Sequence, residues 1–263
     1  MNVHWHQAPI DDRGLAFGDG CFETLRLHNG KAPFWEQHKQ RLLAGLQRLN
    51  IIACAEVLDD ILAEAINTSS TGVLKIIVTR GSGGRGYNGS HITEPNYYPR
   101  VFPFHPLGYE LYSQGLVVGE SSINLSSQPY LAGIKHLNRL EQVLARHEVE
   151  REGWHDALLR DQEQQPVELT AMNLFIRYQD FWWTSALESA GVNGIARQWV
   201  IQQNSLELRI SGQAPDSVDR IIEAFACNSI MGIVPIKRLG VWQGCVGKQT
   251  LRLQQQWNCL WHD

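Results

Sequence analysis

The sequence LAGIKHLNRLE at residues 131–141 decides how this chain is interpreted. Apolar residues recur at helical spacing from Lys135 to Glu152, which predicts an amphipathic helix that begins at the lysine. At that position the positive end of the helix dipole would disfavour the ammonium form of Lys135 and favour the nucleophilic amine. Exposed lysines are common, so position alone would indicate a surface side chain, and the rest of the chain has to supply the argument.

The composition is that of an ordinary globular protein. Its 263 residues, 43% of them hydrophobic, are enough for one large domain or two small ones in close contact. The net charge of −4 and the scattered Lys and Arg argue against nucleic acid or an anionic membrane as a partner. No segment has the pattern of a secretion signal or the apolar length of a membrane span, so we expect a cytosolic protein. The five cysteines lie far apart without a C-x-x-C pair, which predicts reduced thiols and no metal site.

The first half of the chain has an α+β pattern. Residues 20–27 alternate like a strand, and Asn29-Gly30 is the favoured pair for a tight turn. Helical spacing and β-branched runs predict two helices at 35–50 and 56–67, followed by strands at 73–79 and 97–104. We assign residues 1–107 to a small N-terminal α+β domain.

The second half begins after a connector at residues 108–115. Residues 116–263 form the larger C-terminal domain, with a strand starting at 116, further strands at 157–160, 173–177 and 181–184, and a helix opening after Gly194.

A glycine-rich sequence at residues 81–86 matches the G-x-G-x-x-G pattern of dinucleotide-binding proteins. The residues after it, 87–95, cannot open a helix, so no helix N-terminus would hold a pyrophosphate. We interpret the segment as a mobile loop at the rim of an active site, where Arg80 or Arg85 would bind a substrate carboxylate. The alternative for either arginine is a flexible surface turn with a solvated side chain.

Several separated motifs, in order along nearly the whole chain, resemble the fold-type IV family of pyridoxal-phosphate enzymes and, within it, the aminodeoxychorismate lyases. They are AFGDGCFET at 16–24, HKQRL at 38–42, LAGIKHLNRLE at 131–141, Glu168 with Asn173-Leu174-Phe175, and AGVNGIARQ at 190–198. The resemblance implies a small α+β domain and a larger domain with a barrel-like sheet, with the cofactor in the cleft between them. It also implies a homodimer in which a loop of the neighbouring subunit completes the substrate pocket.

Two residues carry the cofactor chemistry in this resemblance. Lys135 resembles the family lysine that forms a Schiff base with the cofactor aldehyde. Glu168 resembles the carboxylate that pairs with the protonated pyridine nitrogen and keeps the ring an electron sink. Residues 169–172, Leu-Thr-Ala-Met, depart from the Gly- and Ser-rich pattern usual in aminotransferases, although the five-residue spacing to Asn173 is kept.

The phosphate of the cofactor would have several anchors. Arg41 resembles the family's phosphate-binding arginine, whose planar fork suits a bidentate contact; the alternative is a solvated helix face shared with Arg48. Gly194, Ile195 and Ala196 would offer backbone N–H groups at a helix start. Ser229 falls where relatives often carry a hydroxyl for the same phosphate, and the alternative is an ordinary loop serine.

The reaction that the resemblance implies converts 4-amino-4-deoxychorismate to 4-aminobenzoate and pyruvate, for folate synthesis. Lys135 would serve as both Schiff-base former and general base, and Thr24 as a proton relay. The polar residues after the lysine, His136, Asn138 and Arg139, suit a dicarboxylate substrate. One alternative is an aminotransferase acting on branched-chain or D-amino acids, with the same fold and cofactor. Another, from a different class, is a non-catalytic protein that binds the cofactor or phosphate.

Overall fold

The structure is a computed structural model that describes residues 2–5, 7–203, 206–215 and 218–261. The chain divides into two compact units. The first comprises residues 1–105 together with 134–138, and the second comprises 106–133 and 139–263. Within the described residues, no helix has the length and apolar composition needed to cross a membrane.

The first unit is a four-stranded sheet with helices. Its elements are β1 Asn2–Val3, α1 Arg13–Phe17, β2 Gly20–Leu27, α2 Trp35–Arg48, α3 Ala55–Thr68, β3 Gly72–Thr79 and β4 Asn96–Phe102. The strands have the spatial order β1-β4-β3-β2, in which β2, β3 and β4 pair antiparallel and β1 pairs parallel with β4.

Burial alternates along β2 because successive side chains point to opposite faces of the sheet. On one face Cys21, Leu25 and Leu27 are buried, and the buried residues of α2, including Leu42 and Leu46, supply apolar partners on this side. The opposite face carries half-buried side chains, among them Phe22 and Thr24 of β2 and Lys75 of β3. The predicted strand at 20–27 is confirmed, and it gives the sheet one core face and one open face.

The turn after β2 is also confirmed. Asn29 and Gly30 have φ values of 50° and 73°, and His28 and Lys31 pair across them. Positive φ at both central residues is the geometry that the Asn-Gly pair favours. The helices predicted at 35–50 and 56–67 correspond to α2 and α3, and their predicted bounds agree with the observed ones to within two residues. Residues 81–95 contain no helix, as the interpretation of the glycine-rich loop required.

Residues 134–138 do not form the start of the helix that was predicted to begin at Lys135. The Phe22 N–H donates to the Lys135 carbonyl at 2.9 Å and the Leu137 N–H donates to the Gly20 carbonyl at 3.0 Å, so this segment extends the sheet along the outer edge of β2. An extended backbone paired in this way cannot be helical, and the helix begins only at Leu140. The predicted helix start at Lys135 is therefore wrong, and the argument from the helix dipole is wrong with it. The assignment of these five residues also differs from the domain boundaries expected from the sequence, because β2 holds them in the first unit.

Within its described residues, the second unit contains a nine-stranded sheet and four α-helices. Its elements are α4 Tyr109–Gln114, β5 Leu116–Asn124, α5 Leu140–Glu152, β6 Asp156–Arg160, β7 Pro166–Leu169, β8 Asn173–Arg177, β9 Trp182–Ser185, α6 Ile195–Ile201, β10 Leu208–Ser211, β11 Glu223–Asn228, β12 Gly232–Leu239, β13 Trp242–Gln243 and α7 Lys248–Cys259. The strands have the order β10-β9-β8-β11-β12-β5-β6-β7, with β13 paired to β12. A further pairing of β7 with β8 closes six strands into a ring, which confirms the expected barrel-like sheet. The segment expected to be a connector contains the short helix α4.

Apolar side chains from the ring strands fill the core of this unit. One cluster includes Val118 of β5, Leu174 of β8 and Val234 of β12, all of them fully buried. A second cluster joins Ala145 of α5 to Leu159 of β6. The predicted strands at 157–160, 173–177 and 181–184 match β6, β8 and β9 to within one residue, and α6 opens after Gly194 as predicted.

Candidate active site

Lys135 lies on the open face of the first unit's sheet. Its Nζ atom is 4.4 Å from the centre of the Phe22 ring, and the Nζ of Lys75 is 5.4 Å from the same centre. The paired backbones explain the placement: Cys21 stands opposite His136, so the residues on either side, Phe22 and Lys135, share the other face. Two amines and one aromatic ring are thereby brought together on the open face.

Glu23 occupies the opposite, core-facing side of β2. Its side chain is 1% exposed, and both oxygens accept hydrogen bonds from α2: Arg41 donates through Nε at 2.7 Å and through Nη2 at 2.6 Å, and His38 donates through Nδ1 at 2.6 Å. Burial opposes ionisation of Glu23, but the charge of Arg41 and the hydrogen bonds of His38 and Arg41 outweigh it and lower the pKa of Glu23 to about 2. Glu23 is therefore a buried carboxylate anion.

His38 is neutral in this cluster. Burial lowers the pKa of its imidazole, and the charges of Arg41 and Lys135 act in the same direction, against the opposing influence of Glu23. Because an ionised carboxylate only accepts hydrogen bonds, Nδ1 of His38 must carry the proton. The positions three apart on α2 place His38 and Arg41 on one helix face, above Glu23.

Arg41 does not lie on a solvated helix face, so that alternative is wrong. Its side chain is 10% exposed and is fixed by two bonds to Glu23. A guanidinium has five N–H donors, so this pairing is compatible with a further anionic ligand on the same group.

Glu168, in the second unit, is buried in the ring of strands. Its Oε2 accepts from the Val192 N–H at 2.9 Å and lies 3.4 Å from Nδ2 of Asn173, the residue paired with it across β7 and β8. This cross-strand pairing explains the five-residue spacing noted in the sequence. Gly191 has φ 87°, and a Cβ there would meet Leu187 at 2.6 Å, so glycine is needed for the backbone to reach Glu168.

The residues expected to hold phosphate in the second unit lie at two turns, one before α6 and one between β11 and β12. Gly194 precedes α6, and a Cβ on it would lie 2.1 Å from Oδ1 of Asn173. Arg197 secures the turn by donating to Oδ1 of Asn193 at 2.8 Å and to the Ser185 carbonyl at 2.7 Å. Ile195 and Ala196 are buried at the start of the helix. Ser229 lies half-buried in the turn between β11 and β12.

The residues expected near the substrate fall in different places. Thr24 is half-buried on the open face of β2, where it pairs across the sheet with Lys75. His136 points to the face opposite Lys135, because it is paired with Cys21. Asn138 is exposed and donates to the Gly18 carbonyl at 3.1 Å. The polar run after the lysine is therefore not a single surface, and its last member, Arg139, immediately precedes α5 in the second unit.

Arg80 and Arg85 have contrasting environments. Arg80 donates to both oxygens of Asp19, at 2.7 and 3.1 Å, and to the carbonyls of Leu49 and Asn50 after α2. These bonds tie the start of the glycine-rich loop to the rest of the unit. Arg85 is exposed in that loop.

The motifs quoted from the sequence contained residues whose part in the site was not assigned, namely Phe22, Glu23, His38 and Arg197. One signal was available for Glu23. The alternation of β2 puts this charged residue on the same face as Cys21 and Leu25, and a charge on a core face requires a partner. His38 and Arg41 are the partners, but only the packing of α2 on β2 identifies them.

Known proteins are similar to this chain in sequence and in fold. Residues 20–239 match the model of the family described as amino-transferase class IV. The chain is 32% identical to an aminodeoxychorismate lyase of Vibrio harveyi over 95% of each chain. It is 28% identical to a D-alanine aminotransferase of Listeria monocytogenes, over 94% of this chain and 88% of the relative.

A solved structure is similar over the same extent. The crystal structure of 4-amino-4-deoxychorismate lyase from Pseudomonas aeruginosa superposes with a TM-score of 0.91 at 34% identity, covering 95% of this chain and 94% of that one. The family model spans most of the sequence, and the relatives span nearly all of it. The chain therefore belongs to the class IV aminotransferase family.

Proposed function

We propose that this protein is a pyridoxal-phosphate-dependent lyase that converts 4-amino-4-deoxychorismate to 4-aminobenzoate and pyruvate, a step of folate synthesis. The observation that carries the proposal is the position of Lys135 on the open sheet face beside Phe22, in a sequence that matches two lyases over 95% and 94% of their length. Identity to these two lyases, at 32% and 34%, is higher than identity to the D-alanine aminotransferase, at 28%.

The residues present fit pyridoxal phosphate. The cofactor needs an amine for its aldehyde, cationic and N–H donors for its phosphate, and a carboxylate for its pyridine nitrogen. Lys135 is the proposed amine, and Glu168, buried and oriented by the Val192 N–H, is the proposed carboxylate. Arg41 is the proposed cationic phosphate ligand, and Gly194, Ile195, Ala196 and Ser229 are the proposed ligands of the same phosphate in the second unit.

Bound pyridoxal phosphate supplies an electron sink for bonds broken next to the substrate nitrogen. Glu168 keeps a proton on the pyridine nitrogen, which makes that sink effective. Lys135 Nζ takes the proton from the substrate ring carbon beside the nitrogen, and the carbon–oxygen bond to the enolpyruvyl group then breaks. The ring becomes aromatic as 4-aminobenzoate, and the released enol takes up a proton to become pyruvate. Thr24, on the same face of β2 as Phe22, is the proposed relay for a proton.

The substrate carries two carboxylates, which call for cationic side chains. Arg85 in the exposed loop and Arg139 before α5 remain the proposed ligands. His136 and Asn138 have less support, since one faces away from Lys135 and the other is bonded to Gly18. Arg80 is engaged with Asp19 and two carbonyls, and we assign it to loop positioning instead. We also propose that the enzyme is a homodimer and acts in the cytosol.

The test combines a spectrum with a product assay. Purified protein is titrated with pyridoxal phosphate and its visible absorption is recorded, and 4-aminobenzoate and pyruvate are then measured after addition of aminodeoxychorismate. Lys135→Ala should lose the visible band and both products. Lys75→Ala, which removes the other amine beside Phe22, should keep the band and serves as the matched control. The absence of a band from wild-type protein would refute the proposal.

An aminotransferase is the second candidate, because the likeness to D-alanine aminotransferase extends over 94% of the chain. A visible band without 4-aminobenzoate, together with transfer of the amino group from D-alanine to a 2-oxo acid, would favour it. Cofactor binding with neither activity would favour the non-catalytic alternative.

A further inference from the structure

The carboxylate of Glu23 has no part in the proposed chemistry, although its position is costly. It lies on the core face of β2 between Cys21 and Leu25, which are 1% and 0% exposed. Burying a charge there is unfavourable unless hydrogen bonds and an opposite charge compensate for it. Arg41 and His38 supply that compensation, with three bonds of 2.6 to 2.7 Å.

The hydrogen bonds restrict the side chain of Arg41 more than that of Glu23. The Arg41 side chain is longer and has more rotamers, so it has more conformational freedom to lose. Two parallel bonds, from Nε to Oε1 and from Nη2 to Oε2, define both the position and the plane of the guanidinium. His38 donates to the same Oε2 and so fixes the carboxylate in turn.

The charges of this cluster are compatible with the binding of an anion. Glu23 balances Arg41, His38 is neutral, and Lys135 is near enough for its charge to act on His38. Glu23 therefore reduces the positive charge available to a phosphate while it orders the group that carries that charge. These two effects oppose each other, and a substitution can separate them.

We propose that Glu23, held by His38, is a positioning residue that orients Arg41 to bind the cofactor phosphate. The inference rests on the proposed function only in taking Arg41 as the phosphate ligand. Preorganisation of this kind raises affinity because the ligand does not have to order the side chain that binds it.

The test measures cofactor affinity rather than turnover. Protein freed of cofactor is titrated with pyridoxal phosphate and, separately, with pyridoxal, which has the aldehyde but no phosphate. Glu23→Gln removes the charge, and Glu23→Asp keeps the charge but withdraws it by one methylene. Both variants should bind pyridoxal phosphate about tenfold more weakly or worse, while their affinity for pyridoxal changes by less than about twofold.

Arg41→Met should lower the affinity for pyridoxal phosphate at least as much. In the Arg41→Met background, Glu23→Gln should cause no further loss of affinity. The matched control is Glu223→Gln, which removes another buried carboxylate that pairs with an arginine, Arg177, at 2.8 Å in the second unit. It should lower stability and leave both affinities unchanged. If Glu23→Gln does not fold, Glu23→Asp and His38→Asn carry the same comparison.

Three outcomes would overturn the proposal. Tighter or unchanged binding of pyridoxal phosphate by Glu23→Gln would mean that charge balance outweighs orientation. Equal weakening of pyridoxal and pyridoxal phosphate would mean a merely structural role. Unchanged binding by Arg41→Met would remove the premise. A wild type that binds the cofactor but forms no 4-aminobenzoate would refute the proposed lyase activity and leave this inference standing.

Discussion

Phe22 contacts Lys135 through both its backbone and its side chain. Its backbone N–H donates to the Lys135 carbonyl at 2.9 Å, and its ring lies 4.4 Å from the lysine Nζ. The first contact fixes the backbone of the lysine and the second restrains the end of its side chain. Phe22 of β2 thus contributes to the position of both the backbone and the side chain of the proposed nucleophile.

We expect Phe22→Leu to lower kcat about two- to tenfold, because the lysine side chain loses the ring that lies beside its end and with it part of its orientation. Steady-state kinetics on aminodeoxychorismate would measure the effect, and KM should change little. Phe22→Tyr retains the ring and is the control. An unchanged kcat in Phe22→Leu would show that the ring does not position the lysine.

Arg80 and Arg85 should behave differently although they lie in one loop region. Arg80→Ala breaks an ion pair and two carbonyl contacts, and should lower the free energy of unfolding by about 1–3 kcal/mol. Arg85→Ala should leave stability unchanged and raise KM if the arginine binds a substrate carboxylate. Urea unfolding and kinetics on both variants would test this. A large loss of stability in Arg85→Ala would contradict the contrast.

The Glu23 cluster should make the protein sensitive to acid in two stages. The pKa of His38 is lowered on folding, so its contribution is present above pH 6.5 and is lost as the pH falls below that value. The pKa of Glu23 falls from 4.5 to about 2, so its contribution of about 3 kcal/mol is present above pH 4.5 and is lost between pH 4.5 and 2.

Unfolding by urea at several pH values would reveal the first stage as a decline in stability that begins as the pH falls below 6.5. His38→Asn has no group that titrates in this range, so it should show a shallower decline. Equal slopes for wild type and His38→Asn would mean that other groups cause the loss.

Gly194→Ala should lower the affinity for pyridoxal phosphate by about tenfold or more, because the new Cβ would have to displace the Asn173 side chain beside Glu168. Gly212→Ala is the matched control, because nothing lies within 4 Å of a Cβ at that position. Titration of both cofactor-free variants would measure the difference. Equal affinities would show that the turn tolerates the methyl group.

Much of the fold follows from local pattern. The approximate alternation of residues 20–27 predicted β2 with the bounds that it has, and the Asn-Gly pair predicted the turn that ends it. The error at Lys135 has a physical cause. The helical spacing of α5 extends back to Leu137 by coincidence, while long-range pairing with β2 determines the conformation of residues 134–138. Periodicity within one segment carries no information about a partner more than a hundred residues away.

The candidate site could be proposed from the sequence only in part. Lys135, Arg41 and Glu168 were proposed from motifs, because each lies in a sequence that resembles a known family. The side chains around them, such as Glu23 and His38 beside Arg41, depend on how helices pack on sheets. That packing had to be observed.

The five residues that pair with β2 also have a consequence for synthesis of the chain. When the ribosome has completed β4, the outer edge of β2 is still uncovered, because the segment that protects it has not yet been made. An uncovered strand edge is a template for pairing with other chains. The nascent protein must therefore keep the edge at residues 20–22 from pairing with other chains until Asn138 has emerged, because the segment that carries the proposed nucleophile is what covers it.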